Sequence, residues 1–104
     1  MSYKNIDVQE FKELMQSENN VVIDVRAPGE LVEGSIDGHQ LINIFDPSFR
    51  DEVEKLDKVK GYLIYCRSGN RSGSACGYMS SIGFENLYNL SGGIIAWNRY
   101  QVAA

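Results

Sequence analysis

Several residue types are scarce in this sequence, and each scarcity narrows what the chain can be. Its 104 residues include two cysteines, two prolines, one histidine and one tryptophan. Two cysteines, Cys66 and Cys76, are too few for a disulfide framework and suit a reducing compartment. If residues 71 to 82 are helical, the rise of about 1.5 Å per residue carries Cys76 beyond the roughly 7 Å Cα limit for a disulfide. Both therefore read as thiols. A basic excess is missing as well: ten Lys+Arg against fourteen Asp+Glu leave a net charge of −4 and a pI near 4.9. Such a surface repels polyanions, which argues against nucleic acid as a partner. Apolar stretches such as Val21 to Ile23 and Tyr62 to Tyr65 fall far short of the roughly 20 residues of a membrane span. No membrane partner is expected. The N-terminus lacks the basic and apolar regions of a secretory signal, so the expected location is cytoplasmic. Repeats, low-complexity tracts and Pro/Gly/Ser-rich linkers are also lacking, which predicts a single domain over residues 1–104.

What is present is the composition of a folded domain, with 43% hydrophobic, 11% aromatic and 23% charged residues. Asp7-Val8-Gln9-Glu10 reads as a capping box, and Val8, Phe11, Leu14 and Met15 recur at helical spacing until Glu18-Asn19-Asn20. Val21 to Val25 is a β-branched run without alternation, as expected of a strand buried on both faces. Pro28 opens a short helical segment closing at Gly34, and Leu41 to Ile44 reads as a second buried strand. Asp46-Pro47 has the chemistry of a cap followed by a first helical residue, with Phe49, Val53 and Leu56 on one helical face. Tyr62 to Tyr65 is the next strand. It runs into Cys66-Arg67-Ser68-Gly69-Asn70-Arg71-Ser72-Gly73, after which Ala75, Tyr78, Met79 and Ile82 mark a helix ending at Gly83. Asn86 to Asn89 is a short strand, and Gly92-Gly93 leads to a last helix through Ile94, Ile95 and Trp97. This alternation predicts an α/β fold: an open, mostly parallel sheet with helices on both faces and its ligand at the carboxyl ends of the strands.

Cys66 stands at that address. The helix that follows begins with N–H groups that have no intrahelical acceptor, and these converge towards the sulfur. With the helix dipole and the guanidinium groups of Arg67 and Arg71, they favour an anion. Such surroundings lower a thiol pKa from about 8.5 to roughly 3.5–7.5, which predicts a thiolate at neutral pH. Gly69 permits a positive φ and Asn70 is the next most tolerant residue, while Ser72 brings a hydroxyl within reach of the sulfur. An isolated cysteine at a strand end is usually inert packing. Two arginines and a glycine turn at a strand-to-helix junction favour a nucleophile.

At these residues the sequence resembles the rhodanese-like sulfurtransferase domain, over nearly the whole chain. Ile23-Asp24-Val25-Arg26 with Glu30, Gly34-Ser35-Ile36-Asp37-Gly38 and Ile42-Asn43-Ile44 is similar to the family's first signature. Cys66 to Ser72 resembles its active-site loop, and Leu90-Ser91-Gly92-Gly93-Ile94-Ile95-Ala96-Trp97 its C-terminal signature. The resemblance implies a five-stranded parallel sheet and a Cys66 that cycles through a persulfide. The thiolate takes a sulfane sulfur from thiosulfate or a persulfide donor and passes it to a thiol, to cyanide or to a sulfur-accepting protein. Loop N–H groups of residues 67–72 hold the terminal sulfur, Arg67 and Arg71 bind the anionic donor, and no metal or organic cofactor is required. The family commonly carries a histidine after the glycine of its first signature, where this chain has Ser35. The thiolate step needs no histidine base, so activity is expected to persist; the change bears on substrate positioning.

Other residues read as structural. Asp24, Arg26 and Glu30 are expected to fix loops through hydrogen bonds, and His39 is a loop residue without metal-ligand spacing around it. Cys76 is expected to pack, with a resolving role as the alternative, and Trp97 to join the core. A sulfur carrier without turnover, or a regulatory binding module, is one rival reading. Cysteine phosphatases or arsenate reductases are another. Those enzymes resemble C-x5-R, whereas Cys66 and Arg71 enclose four residues, a cradle suited to one sulfur atom, and the loop holds no aspartic acid to protonate a leaving group.

Overall fold

The computed structural model describes residues 3–103. Strands β1 (Lys4–Ile6), β2 (Asn20–Asp24), β3 (Gln40–Leu41), β4 (Gly61–Tyr65) and β5 (Asn86–Leu90) form one sheet in the order β1-β5-β4-β2-β3. Every pairing is parallel. Helices α1 (Val8–Leu14), α2 (Phe49–Glu54), α3 (Asn70–Ser81) and α4 (Gly93–Ala103) and a 3-10 helix (Pro28–Glu33) fill the connections.

The central strand β4 is buried along its whole length, and its side chains alternate between two cores. Tyr62 and Ile64, followed by Cys66, pack with Val53 of α2 and with Ala75, Cys76 and Met79 of α3. Leu63 and Tyr65 face the other way, onto Phe11 of α1 and Ile94 of α4. A strand sandwiched in this manner has no solvated face, which is why its sequence is a continuous apolar run. Helices therefore cover both faces of a parallel sheet, the expected architecture. None of them, among the described residues, is long and apolar enough to cross a membrane.

Local chemistry explains most boundaries. Asp7 Oδ1 accepts from the Glu10 N–H at 2.9 Å and starts α1. Gly83, at φ +105°, ends α3 in the left-handed conformation that a side chain disfavours.

Three elements depart from the sequence expectation. β1 was not anticipated: Lys-Asn-Ile buries one side chain, Ile6, and becomes a strand because Tyr88 to Leu90 offer it an unpaired edge. The buried strand expected over residues 41–44 shrinks to the edge pair Gln40–Leu41, neither of which is buried. Beyond it the chain makes single bonds, Ile42 N–H to Asp24 O and Ile44 N–H to Val25 O, without a regular ladder. Helix α2 starts at Phe49, later than Asp46-Pro47 suggests, because Asp46 Oδ1 accepts from the Ser48 N–H and hydroxyl and closes a turn ahead of the helix.

Candidate active site

At the carboxyl end of β4 the chain turns through residues 66–69 into α3. Gly69, at φ +105°, makes that turn against the Leu90 carbonyl and the Gly92 N–H. Helix α4 then fixes the peptides: the Ile94 N–H donates to Cys66 O at 2.9 Å and the Ile95 N–H to Arg67 O at 3.3 Å. With those carbonyls drawn towards α4, the loop is free to turn N–H groups towards the sulfur. Gly93 permits this approach, since a Cβ there would overlap the carbonyls of Arg67 and Cys66.

Donors from the loop and from the start of α3 converge on the Cys66 sulfur. The Gly69 N–H lies 3.1 Å from Sγ, the Ser72 N–H 3.4 Å and the Ser72 hydroxyl 3.3 Å. Burial, at 1% exposure, pushes the Cys66 pKa up, but the Ser72 hydroxyl and the N–H groups of Ser72, Gly69 and Ser68 outweigh it. The net displacement is downward, as expected for an anion-stabilising loop. The donors responsible are amides and a hydroxyl.

The two arginines, expected to favour the anion and to bind the donor, are each paired with a glutamate. Arg71 Nη1 and Nη2 donate to the two carboxylate oxygens of Glu30, each at 2.7 Å, which holds the Glu30 pKa down to about 2. The Cys66 charge nevertheless acts on Arg71, raising its pKa after the larger effect of Glu30. Arg67 is exposed at the rim and reaches Glu33 at 3.3 Å. Asn70 is exposed at the first position of α3, and Ser68 faces a shallow depression lined by Val8, Gly92, Ile95, Arg99 and Tyr100.

Glu30 and Glu33 are delivered by a buried scaffold. Asp24 and Arg26 are both fully buried and joined by two-pronged hydrogen bonds of 2.8 to 3.1 Å. Arg26 also donates to Glu30 O and Gly34 O, gripping the 3-10 helix near both of its ends. Asp24 and Arg26 thus have the structural part expected of them. Glu30 goes further, since its carboxylate holds an arginine of the loop.

The remaining candidates fall outside the loop. His39 bonds Ile36 O through Nδ1 at 2.8 Å. Ser35 opens onto a groove with Lys12, Met15 and Trp97, none of which belongs to the Cys66 loop. Trp97 packs edge-on to Phe11. Cys76 is a free, fully buried thiol on α3, and burial pushes its pKa up to about 12. One residue at the site was missed: Asn89, buried on β5, bonds the Ser72 hydroxyl. Its signal was a polar residue two positions from Leu87 in a buried strand.

Comparison with known proteins agrees with this fold. A sulfurtransferase of Allochromatium vinosum is 41% identical over 88 residues, covering 84% of this chain and 79% of the relative. The thiosulfate sulfurtransferase GlpE of Pseudomonas putida is 32% identical over 95 residues, covering 91% of this chain and 84% of its own. A rhodanese-related protein of Thermoplasma volcanium superposes with a TM-score of 0.81 at 33% identity, over 94% of this chain and 93% of that one. The model of the rhodanese-like domain matches residues 7–100, and the chain belongs to that family.

Proposed function

We propose that the chain is a sulfurtransferase in which Cys66 carries the sulfur. The observation that carries this reading is the convergence of the Gly69 N–H, the Ser72 N–H and the Ser72 hydroxyl on a single sulfur atom. The Cys66 thiolate attacks the sulfane sulfur of an anionic donor, thiosulfate or a persulfide. A new S–S bond forms, the donor's S–S bond breaks, and the electron pair leaves with sulfite or a thiolate. Cys66 is left as a persulfide anion whose terminal sulfur lies among the N–H groups of residues 67–72, and Arg67 and Arg71 attract the donor. A thiol, cyanide or a partner protein's thiolate then attacks the terminal sulfur and returns Cys66 to the thiolate. The names of the relatives from A. vinosum and P. putida support the reaction class, and the second of them supports thiosulfate as donor. Two unpaired thiols suit a reducing compartment such as the cytoplasm.

The loop also weighs against phosphatase chemistry: Cys66 and Arg71 enclose four residues, and none of Arg67, Ser68, Gly69 and Asn70 is an acid that could protonate a leaving group. The test is sulfur transfer from thiosulfate to cyanide, followed as thiocyanate, with intact mass recorded after donor alone. The native chain should turn over and gain one sulfur, and Cys66→Ser should do neither. A mass gain retained until a protein thiol is added would identify a carrier. Cys66-dependent hydrolysis of p-nitrophenyl phosphate without sulfur loading would overturn the reading.

A further inference from the structure

Asn89 lies behind the nucleophile, at 5% exposure on β5. Its Nδ2 donates to the Gly69 carbonyl at 3.1 Å and to Asn5 Oδ1 at 2.9 Å. A backbone carbonyl only accepts, so the amide is oriented, and its Oδ1, which also only accepts, faces Ser72. The Ser72 oxygen lies 2.5 Å from that Oδ1 and 3.3 Å from Cys66 Sγ. One hydroxyl proton serves two acceptors. We propose that Asn89 is a positioning residue that competes with the Cys66 sulfur for the Ser72 proton and thereby sets how readily Cys66 ionises.

With Cys66 protonated, the thiol can donate to Ser72 Oγ while the hydroxyl donates to Asn89, and every group is satisfied. When Cys66 ionises, the hydroxyl turns to the sulfur and a buried amide oxygen loses its donor, which costs free energy. The inference rests on Cys66 as the nucleophile of the proposed reaction, and does not depend on which sulfur it accepts. In that reaction, persulfide formation moves the charge from Sγ to the terminal sulfur and returns the hydroxyl to Asn89. The charged and titratable groups around Cys66 are engaged with other partners or buried. Cys76 on α3 is kept neutral, Arg71 is held by Glu30, Arg67 meets Glu33, and Asp24 is paired with Arg26 at the end of β2.

The test follows Cys66 alkylation by iodoacetamide against pH, by intact mass, in the native chain, Asn89→Leu, Ser72→Ala and the double variant. Asn89→Leu should lower the midpoint by about one pH unit, or about tenfold in the ionisation constant, the usual effect of one buried hydrogen bond. Ser72→Ala should raise the midpoint, and Asn89→Leu should then produce no further shift. An unchanged or raised midpoint in Asn89→Leu, or the same shift with and without Ser72, overturns the proposal. A second measurement needs no change at Asn89. The side-chain carbonyl carbon resonance of Asn89 should follow the Cys66 midpoint in the native chain and lose that excursion in Ser72→Ala, where the sulfur charges but no hydroxyl turns. An excursion that persists in Ser72→Ala is a through-space effect of charge and overturns the proposal. Alkylation reads ionisation alone, so a closed cycle in a chain that loads no sulfur would refute the sulfurtransferase reading and leave this one standing.

Discussion

Cys66 and Cys76 are equally sheltered, at 1% and 0% exposure, and belong to the same core. Their acidities nevertheless move in opposite directions. Burial raises both, but Cys76 sits within α3, where the backbone N–H groups are committed to the helix, and its pKa rises to about 12. Cys66 sits one turn before the same helix, where the first N–H groups have no intrahelical acceptor, and its pKa falls. Reactivity in this fold therefore comes from position relative to the helix terminus, and burial alone would have made both thiols inert.

The most direct way to break the comparison is to remove each sulfur in turn. Cys66→Ser should abolish sulfur loading and cyanide-dependent turnover, whereas Cys76→Ala should retain both within about twofold and lose roughly 1 kcal/mol of packing. Loss of activity in a folded Cys76→Ala chain would make Cys76 a partner in the chemistry.

A second, smaller effect concerns what holds the loop's surroundings. Asp24 and Arg26 are buried together, and Arg26 grips the 3-10 helix that brings Glu30 to Arg71. Truncating one partner of a buried pair strands the other charge, typically at a cost of about 3–5 kcal/mol. Arg26→Met should lower stability by that order in urea unfolding. Asp24→Asn/Arg26→Met, which strands no charge, should recover part of it. Equal losses in the single and double variants would mean that the hydrogen bonds to the 3-10 helix matter more than the stranded charge.

The same contrast shows what could be read from residues alone. Cys66, its donors and its glycine turn lie within one strand-to-helix junction, so chemistry that acts over a few residues made them legible. The β4 run and the apolar spacing of α1 and α3 were legible for the same local reason. Asn89 acts on Ser72 across 17 positions and Glu30 on Arg71 across 41, and only the sheet order brings them together. β1 was hidden because three residues with one buried side chain carry no pattern of their own; the edge of β5 makes them a strand. The glutamate partners of Arg67 and Arg71 are not legible locally, since nothing in the neighbouring sequence shows that the 3-10 helix turns Glu30 and Glu33 towards them.

pH sharpens the comparison further, because the two thiols impose opposite slopes on stability. Cys76 is raised in the folded chain, so above its unfolded pKa of about 8.5 the unfolded chain loses a proton that the folded chain keeps. Stability should fall by up to about 1.4 kcal/mol per pH unit from there towards pH 12, and Cys76→Ala should remove that slope. Cys66 is lowered, so its contribution is present in full above the unfolded pKa and is lost as pH falls through the folded one. Urea midpoints of the native chain, Cys66→Ser and Cys76→Ala between pH 6 and 10 would separate the two. Identical profiles in all three would mean that neither thiol differs from its unfolded acidity.

The smallest effect comes from freeing the Arg71 charge. Glu30 neutralises it at present, and both side chains are about one quarter exposed, so solvent screens the pair. In Glu30→Gln the guanidinium keeps its charge and loses its counter-ion, and the Cys66 thiolate becomes its nearest compensation. The alkylation midpoint should therefore move down, by about half a unit or less, and the shift should shrink in high salt. The sign carries the argument. A midpoint that rises would show that Glu30 serves Cys66 by holding the loop that aims the N–H groups, an effect on geometry that salt would not remove. A salt-sensitive fall would show that a lone positive charge can add to what the amide and hydroxyl donors already do, widening the gap between Cys66 and Cys76 without touching either sulfur.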